Sequence, residues 1–579
     1  MTAASVGSPE FAGKETLSDS ASTELDRIIV SIAKQKRAWA ETNCQQRVEM
    51  LDALILSLGS AANEWVELSC KAKGHTPNTP ASGEEWLTGP TLVARNLRLV
   101  KETILQIAKT GTPKLPATPT TLGNGQVVAQ TFPTSLYDKL LFKDITAEVW
   151  MDPDVTLNSL NGTMAVHYAD DAIREGSSCL ILGAGNVSSI GPMDAIYKLF
   201  VESQVVILKM NPVNDYLTDP YKIALAPLIE AGYLAIVKGG AAAGKFLCEH
   251  ESIDEIHITG SDKTHDAIVF GPGAEGEDRK KRRDPICVKR VTSELGNVSP
   301  LIIIPGVWTA SEIAFQAENV ASTLVNNAGF NCNATRVLVT HEAWPQRDAF
   351  LAALKKTFAK IPTRRAYYPG AMDRHATFVK NRDVSQTDNT KDDALPWTIV
   401  HNVDANDVDE MCFTTEAFCS LMAETAIKAN SVSAYIEQAV EFANERLWGT
   451  LNAGIIVKPK SLQQTEIASS LNSAITDLRY GTVAVNHWPG LNFGLCSTTW
   501  GAFPGHPNHD IRSGSGVVHN TYMFDRAQKT VLRGPFKPFP KPVWFATHRR
   551  THKIGKALYR FESAPSLMRL PSVLLNALG

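Results

Sequence analysis

The sequence predicts an α/β chain with two strand–helix domains, and three observations predict it. Short apolar runs alternate with amphipathic stretches between Cys179 and Thr259, a second such series starts at Val298, and 579 residues are too many for one ordinary core. A hydrophobic share of 44% and a charged share of 20% describe a globular protein with ample apolar material for large interiors.

Taken in order, residues 1–22 are rich in Ser, Thr, Ala and Gly and lack an apolar signal-peptide run, so a disordered leader is expected. Over 21–107 apolar residues recur three and four apart, as in Leu51, Leu54, Ile55 and Leu58, which predicts helices. The Pro/Thr-rich stretch 110–121 reads as a surface loop. Strands are predicted at 179–182, 205–209, 234–237 and 256–259, with helices at 192–203, 220–231 and 241–250 between them. Strict succession of strand and helix argues for a parallel sheet covered on both faces. Such sheets bind ligands at the carboxyl ends of their strands, so a Rossmann-like nucleotide-binding domain is expected over 23–293. A charged stretch at 271–284, ending in the basic run 279–283, reads as a solvated loop. The second series, 294–485, forms the other α/β domain; 486–536 returns the chain, and 537–579 is a basic, aromatic tail.

Composition excludes several classes. A net charge of −3 points to no nucleic-acid partner. Nine cysteines without CxxC spacing argue against a metal site and against a disulfide framework, and for reduced intracellular thiols. The longest apolar candidate, 567–578, is broken by Arg569 and Pro571, so no membrane span is predicted and a cytoplasmic location is expected.

Chemistry concentrates in a few motifs. Cys332 ends the run Asn327-Ala328-Gly329-Phe330-Asn331-Cys332, where Gly329 permits close backbone approach. An ordinary thiol near pKa ~8.5 is mostly protonated at neutral pH, so a nucleophile there needs local stabilisation of its charge. Glu294, in Glu294-Leu295-Gly296-Asn297, lies between apolar runs, a setting that raises a carboxylate pKa and suits general-base work on water. Asn186 ends a Gly-Ala-Gly turn after a strand and offers an amide donor to a substrate oxygen. Lys209 closes the next strand, within reach of an adenosine ribose. Gly260 and Ser261 open a helix suited to a pyrophosphate. Glu416 offers a carboxylate to a nicotinamide ribose, with Phe418 beside the ring. The Gly-x-Gly-x-x-Gly fingerprint is missing from these junctions, which counts against an ordinary Rossmann dehydrogenase.

In this order the segments resemble the aldehyde dehydrogenase superfamily over about 175–531. The match continues in Val483-Ala484-Val485-Asn486, in Ser513-Gly514-Ser515-Gly516, and in Lys529-Thr530-Val531, which resembles the family's oligomerising strand. Three departures stand out. Ala184-Gly185 replaces the family's Pro-Trp, Phe330 stands in place of Gln, and Pro212 replaces a glutamate that holds the cofactor's 2′-hydroxyl. The last leaves NAD against NADP open.

The resemblance implies an NAD(P)-dependent aldehyde dehydrogenase of the non-acylating type. Cys332 would form a thiohemiacetal and then a thioester, Glu294 would activate the hydrolytic water, and Asn186 would stabilise the oxyanion. Lys209, Gly260, Ser261, Glu416 and Phe418 would hold NAD or NADP, and a homodimer or homotetramer is implied. Trp488, Trp500 and Phe503 fall in the segment that lines the substrate funnel in relatives. Two alternatives are an enzyme that passes the acyl group to coenzyme A and a catalytically silent scaffold. For the tail, two readings stand: peripheral contact with an anionic membrane, or wrapping of a neighbouring subunit.

Overall fold

The computed structural model describes residues 6–8, 17–169, 172, 174–388 and 391–579. Most of the expected leader lies outside these residues. Its described parts are placed: Gly7 pairs with Thr415, and a helix begins at Asp19, capped by the Ser18 hydroxyl.

The helical region forms as its periodicity requires. Cys44–Lys73 starts at a capping box between Asn43 and Gln46 and stops at Gly74, whose φ of 72° is left-handed. Pro90–Thr110 opens on a proline in the first turn, where the missing N–H costs nothing. These two helices pack on each other, and Cys44–Lys73 also on the helix Thr218–Ala224, while the helix Asp19–Ala33 lies against a six-stranded sheet.

That sheet runs Gly514–Ser515, Arg290–Glu294, Glu255–Thr259, Ser177–Leu182, Gln204–Lys209, Leu234–Val237. All neighbours are parallel except the first pair. Gln204–Lys209 is buried at every position, the expected state of a strand covered on both faces. From Ser177–Leu182 the chain adds strands on one side and then returns to add Glu255–Thr259 on the other. The switch point therefore lies between these two strands, where a crevice opens at their carboxyl ends.

The second sheet has eleven strands. Its parallel centre holds Ser299–Ile303, Thr335–His341, Leu421–Ile427 and Asn452–Ile456. Ala527–Arg533, the strand that resembles an oligomerising one, is paired on both edges within the chain, parallel to Thr482–Val485 and antiparallel to Thr146–Met151.

One expectation is corrected. The charged 271–284 stretch is a helix, Gly273–Arg282, ended by left-handed Arg283. Glu275 and Arg279 pair one turn apart at 3.2 Å, and the cations cluster at the carboxyl end, where the helix dipole favours them.

The 537–579 tail folds onto its own chain. Thr551–Ser563 packs on Gly83–Leu87 and Pro90–Thr110. Buried Glu562 accepts from Arg95 at 2.8 Å and Arg98 at 2.5 Å, and Arg95 also reaches Asp138 at 3.1 Å. No described helix is long and apolar enough to cross a membrane.

Candidate active site

A cavity of about 1240 Å³ opens at the switch point and runs to the second sheet. Asn186, Lys209, Gly260, Ser261, Glu294, Cys332, Glu416 and Phe418 all line it. Trp488, Trp500 and Phe503 are outside its lining. Trp488 is buried with its indole N–H on the Asn333 carbonyl at 2.9 Å, and Trp500 is fully buried.

Glu294 ends the edge strand Arg290–Glu294, which Gly514–Ser515 clamps. The Leu295 N–H donates to the Ser513 carbonyl at 2.8 Å, and the Ser513 hydroxyl to the Gly296 carbonyl at 2.8 Å. The carboxyl of Glu294 is buried, and burial pushes its pKa up to about 7, with the charge of Asp194 adding to the rise. Its Oε1 accepts from the Cys332 Sγ at 3.2 Å, while Oε2 has no hydrogen-bond partner among the described residues.

Cys332 lies between the helix Ala310–Val325 and the strand Thr335–His341. Its approach is tightly wound: Asn327 and Ala328 have φ of 51° and 56°, and Gly329 follows at 83°. A side chain at Gly329 would stand 2.5 Å from the Cys419 carbonyl, so backbone shape and space both demand glycine there. Burial, and then the neighbouring Glu294 carboxylate, push the Cys332 thiol well above its ordinary value. Its carbonyl is held by the Ser299 hydroxyl at 3.1 Å and the Asn452 amide at 3.3 Å.

Asn186 follows the strand Ser177–Leu182 and donates through Nδ2 to the Phe330 carbonyl at 2.9 Å, which ties the turn after that strand to the cysteine loop. Asn327 donates to the same carbonyl at 3.1 Å. Phe330 is itself fully buried against Tyr367, Tyr368 and Phe418, at ring separations of 5.0, 5.7 and 5.9 Å. The departure noted at Phe330 is thus accommodated by an aromatic cluster.

Two residues escaped the sequence reading. Arg336 is buried and donates to the carbonyls of Gly329, Asn331, Cys419 and Leu421, so it stitches the cysteine loop to the Glu416 segment. The Tyr367 hydroxyl lies 3.0 Å from the Asn186 carbonyl and 2.9 Å from Asn327 Oδ1 and shares its one proton between these acceptors. Neither lies in a motif; an arginine two residues into a strand gave the only hint.

Elsewhere in the cavity lining, Ser261 caps the helix Asp262–Val269, and the Gly260 N–H donates to the Glu294 carbonyl at 3.0 Å. Lys209 is buried, with Nζ 3.2 Å from the Met210 carbonyl. Glu416 is buried, burial pushes its pKa up to about 7, and its Oε1 has no hydrogen-bond partner among the described residues. Gly296 lets it approach, since a side chain there would meet Glu416 Oε2 at 2.2 Å. An unsatisfied buried acceptor in this wall fits a ribose hydroxyl, and exposed backbone at a helix N-terminus fits a pyrophosphate. Residues 6–8 cross the same cleft: Gly7 exchanges backbone hydrogen bonds with Thr414 and Glu416, and the Ser8 N–H donates to Asp262 at 2.9 Å. Among the described residues no cluster of metal-binding side chains occurs.

Residues 218–395, which hold both Glu294 and Cys332, match the aldehyde dehydrogenase family. The mouse 4-trimethylaminobutyraldehyde dehydrogenase is 35% identical over 160 residues, 27% of this chain and 28% of that protein. The zebrafish 4-trimethylaminobutyraldehyde dehydrogenase A is 34% identical over 138 residues, 24% of each chain. These matched stretches thus span about a quarter of their curated relatives. Among solved structures, aldehyde dehydrogenase 21 of Physcomitrella patens, in complex with succinate, is similar with a TM-score of 0.58. It is 15% identical, and the match covers 88% of this chain and 90% of that one. An NADP-complexed glyceraldehyde-3-phosphate dehydrogenase from Bacillus halodurans gives a TM-score of 0.55 at 16% identity, covering 90% and 92%. Residues 218–395 are thus similar to the aldehyde dehydrogenase family, and the two-sheet fold is one shared with solved aldehyde dehydrogenases.

Proposed function

We propose that this protein is an NAD(P)-dependent aldehyde dehydrogenase that oxidises an aldehyde to a carboxylic acid. The observation that carries the reading is the 3.2 Å contact between the Cys332 thiol and the Glu294 carboxylate, inside the cavity that also exposes Glu416 and the Ser261 helix start.

Cys332 attacks the carbonyl carbon, its S–C bond forms, and the thiol proton passes to Glu294 Oε1. A carboxyl near 7 is matched to take that proton and later release it at neutral pH. The amide of Asn186, anchored by Phe330 and Tyr367, supports the oxyanion; such a donor contributes roughly 3 kcal/mol. Bound NAD or NADP supplies the hydride acceptor. It would rest on Lys209, Gly260, Ser261 and Glu416, with Phe418 at the nicotinamide end. The resulting Cys332 thioester is attacked by water as Glu294 takes the water proton; the C–O bond forms, the C–S bond breaks, and the acid leaves. Glu294 favours this hydrolysis over transfer to coenzyme A, because a thiol acceptor needs no water-activating base.

Pro212 lines the cavity near Lys209, so no carboxylate stands at that position to repel a 2′-phosphate. Both cofactors are therefore expected to work. An implied homo-oligomer would have to use a surface other than the edges of Ala527–Arg533.

The test is NAD(P)H formation from aldehydes of increasing length, with each cofactor, with and without coenzyme A. Turnover without coenzyme A that disappears in Cys332→Ala is expected. Turnover that requires coenzyme A, or that survives Cys332→Ala, defeats the proposal.

A further inference from the structure

The tail supplies a surface that the dehydrogenase reaction does not use. Residues 537–579 hold eight Lys and Arg against the single carboxylate Glu562, in a chain that is net −3. Glu562 is buried and consumed by Arg95 and Arg98, and Lys541 is paired with Glu318 at 2.9 Å. Arg549, Arg550, Lys553, Arg560 and Arg569 are exposed, and none forms an ion pair with a carboxylate among the described residues.

Set among these cations are apolar side chains turned to solvent. The helices Thr551–Ser563 and Leu570–Ala577 bury Ile554, Phe561, Leu570 and Val573 in a small core shared with Tyr137 and Leu141 of the helix Leu136–Leu141. Having filled that core, the chain still exposes Met568 at 92%, Leu575 at 63% and Leu578 at 61%, with Leu567 and Leu574 beside them in sequence. On Leu136–Leu141 the row beside Tyr137 and Leu141 exposes Leu136 and Leu140, flanked by exposed Lys139 and Lys143. Asp144 is the one exposed carboxylate in that segment.

We propose that this face docks the protein on an anionic lipid bilayer. Exposed leucine and methionine on short helices and the turn joining them, set among cations and almost free of carboxylates, form the pattern that inserts shallowly at a membrane interface. The helix Leu570–Ala577 has 8 residues, far short of a span, so the contact lies on the surface rather than across it. A second copy of the chain is a poorer occupant, because a two-fold contact through this face would set like charges against each other.

The experiment is co-sedimentation of the full chain with vesicles of phosphatidylcholine alone or mixed with phosphatidylserine. Pelleting with the anionic vesicles only, reversed by salt, is expected. Met568→Glu with Leu575→Glu, both at exposed positions, should weaken vesicle binding by about ten-fold or more while NAD(P)H production stays unchanged. Should that variant melt early, Arg549→Glu with Lys553→Glu carries the same expectation. Absence of pelleting, or equal pelleting by a folded variant, overturns the proposal. So does a wild type that light scattering shows to be a dimer and the Glu variant a monomer, since the face is then an interface between copies. The pelleting and light-scattering readouts do not depend on the dehydrogenase assignment.

Discussion

The Sγ of Cys332 lies 3.2 Å from Oε1 of Glu294, although the two residues arrive from different sheets. A carboxylate so close raises the thiol pKa, together with burial. Glu294→Gln removes that charge and lets the thiol ionise at lower pH. Iodoacetamide should therefore label Cys332 several-fold faster in Glu294→Gln than in the parent at pH 8. Equal rates, followed by peptide mass spectrometry, would show that the carboxylate does not govern the thiol.

The same substitution should halt turnover after acylation. Loss of a general base costs ~10²–10⁴-fold, so at pH 8, where the Cys332 thiol of Glu294→Gln ionises to solvent without the neighbouring carboxylate, this variant should give a burst of NAD(P)H and then stall, with an acyl group retained on Cys332. In the parent, hydrolysis should rise with pH through about 7, where Glu294 loses its proton. A variant that turns over steadily, or a flat parent profile from pH 6 to 8, contradicts the assigned role.

Stability should report Glu294 independently. Its folded pKa stands near 7 against an ordinary 4.5, so the folded chain holds this proton more tightly than the unfolded one. Stability is therefore lost as pH rises from about 4.5 to about 7, at an upper limit of roughly 3 kcal/mol. Glu294→Gln cannot ionise, so its melting temperature should exceed the parent's at pH 8 and match it below pH 4.5. Thermal melts at both pH values decide; a lower melting temperature at pH 8 would refute the sign.

Tyr367 is a positioning residue, since it acts on Asn186 and Asn327 rather than on substrate. Tyr367→Phe removes one buried donor, a loss of about 1 kcal/mol or more. It should lower kcat while the cofactor's KM is held. A change confined to the cofactor's KM would place its influence elsewhere.

Residues 6–8 bridge Asp262 and the Thr414–Glu416 wall, and Ser8 lines the cavity. A cofactor reaching Glu416 must compete with these hydrogen bonds. Removing residues 1–16 should therefore tighten NAD(P)H binding several-fold in a fluorescence titration. Unchanged affinity would mean that the segment and the cofactor share the cleft without conflict.

Strand and helix alternation was legible wherever local signals were strong. Buried apolar runs such as Val205 to Leu208 became strands, and the spacing of Leu51, Leu54, Ile55 and Leu58 became the helix Cys44–Lys73. The stretch at 271–284 misled because charge was read as solvation, whereas Glu275 and Arg279 at helical spacing stabilise a helix that needs no apolar face. Arg336 and Tyr367 were invisible for another reason: their partners are backbone carbonyls and amides set by three-dimensional contact, and carbonyls leave no trace in sequence.

By itself the sequence determined the parallel sheet, the thiol and carboxylate types, and the glycine that Gly329's left-handed backbone requires. Only the tertiary structure decided that Glu294 and Cys332 touch, that Phe330 is sealed in an aromatic cluster, and that Ala527–Arg533 is paired within its own chain. The physical reason is that residue type and period act locally, whereas pairing edges, buried charges and hydrogen bonds to carbonyls depend on which segments meet across the core.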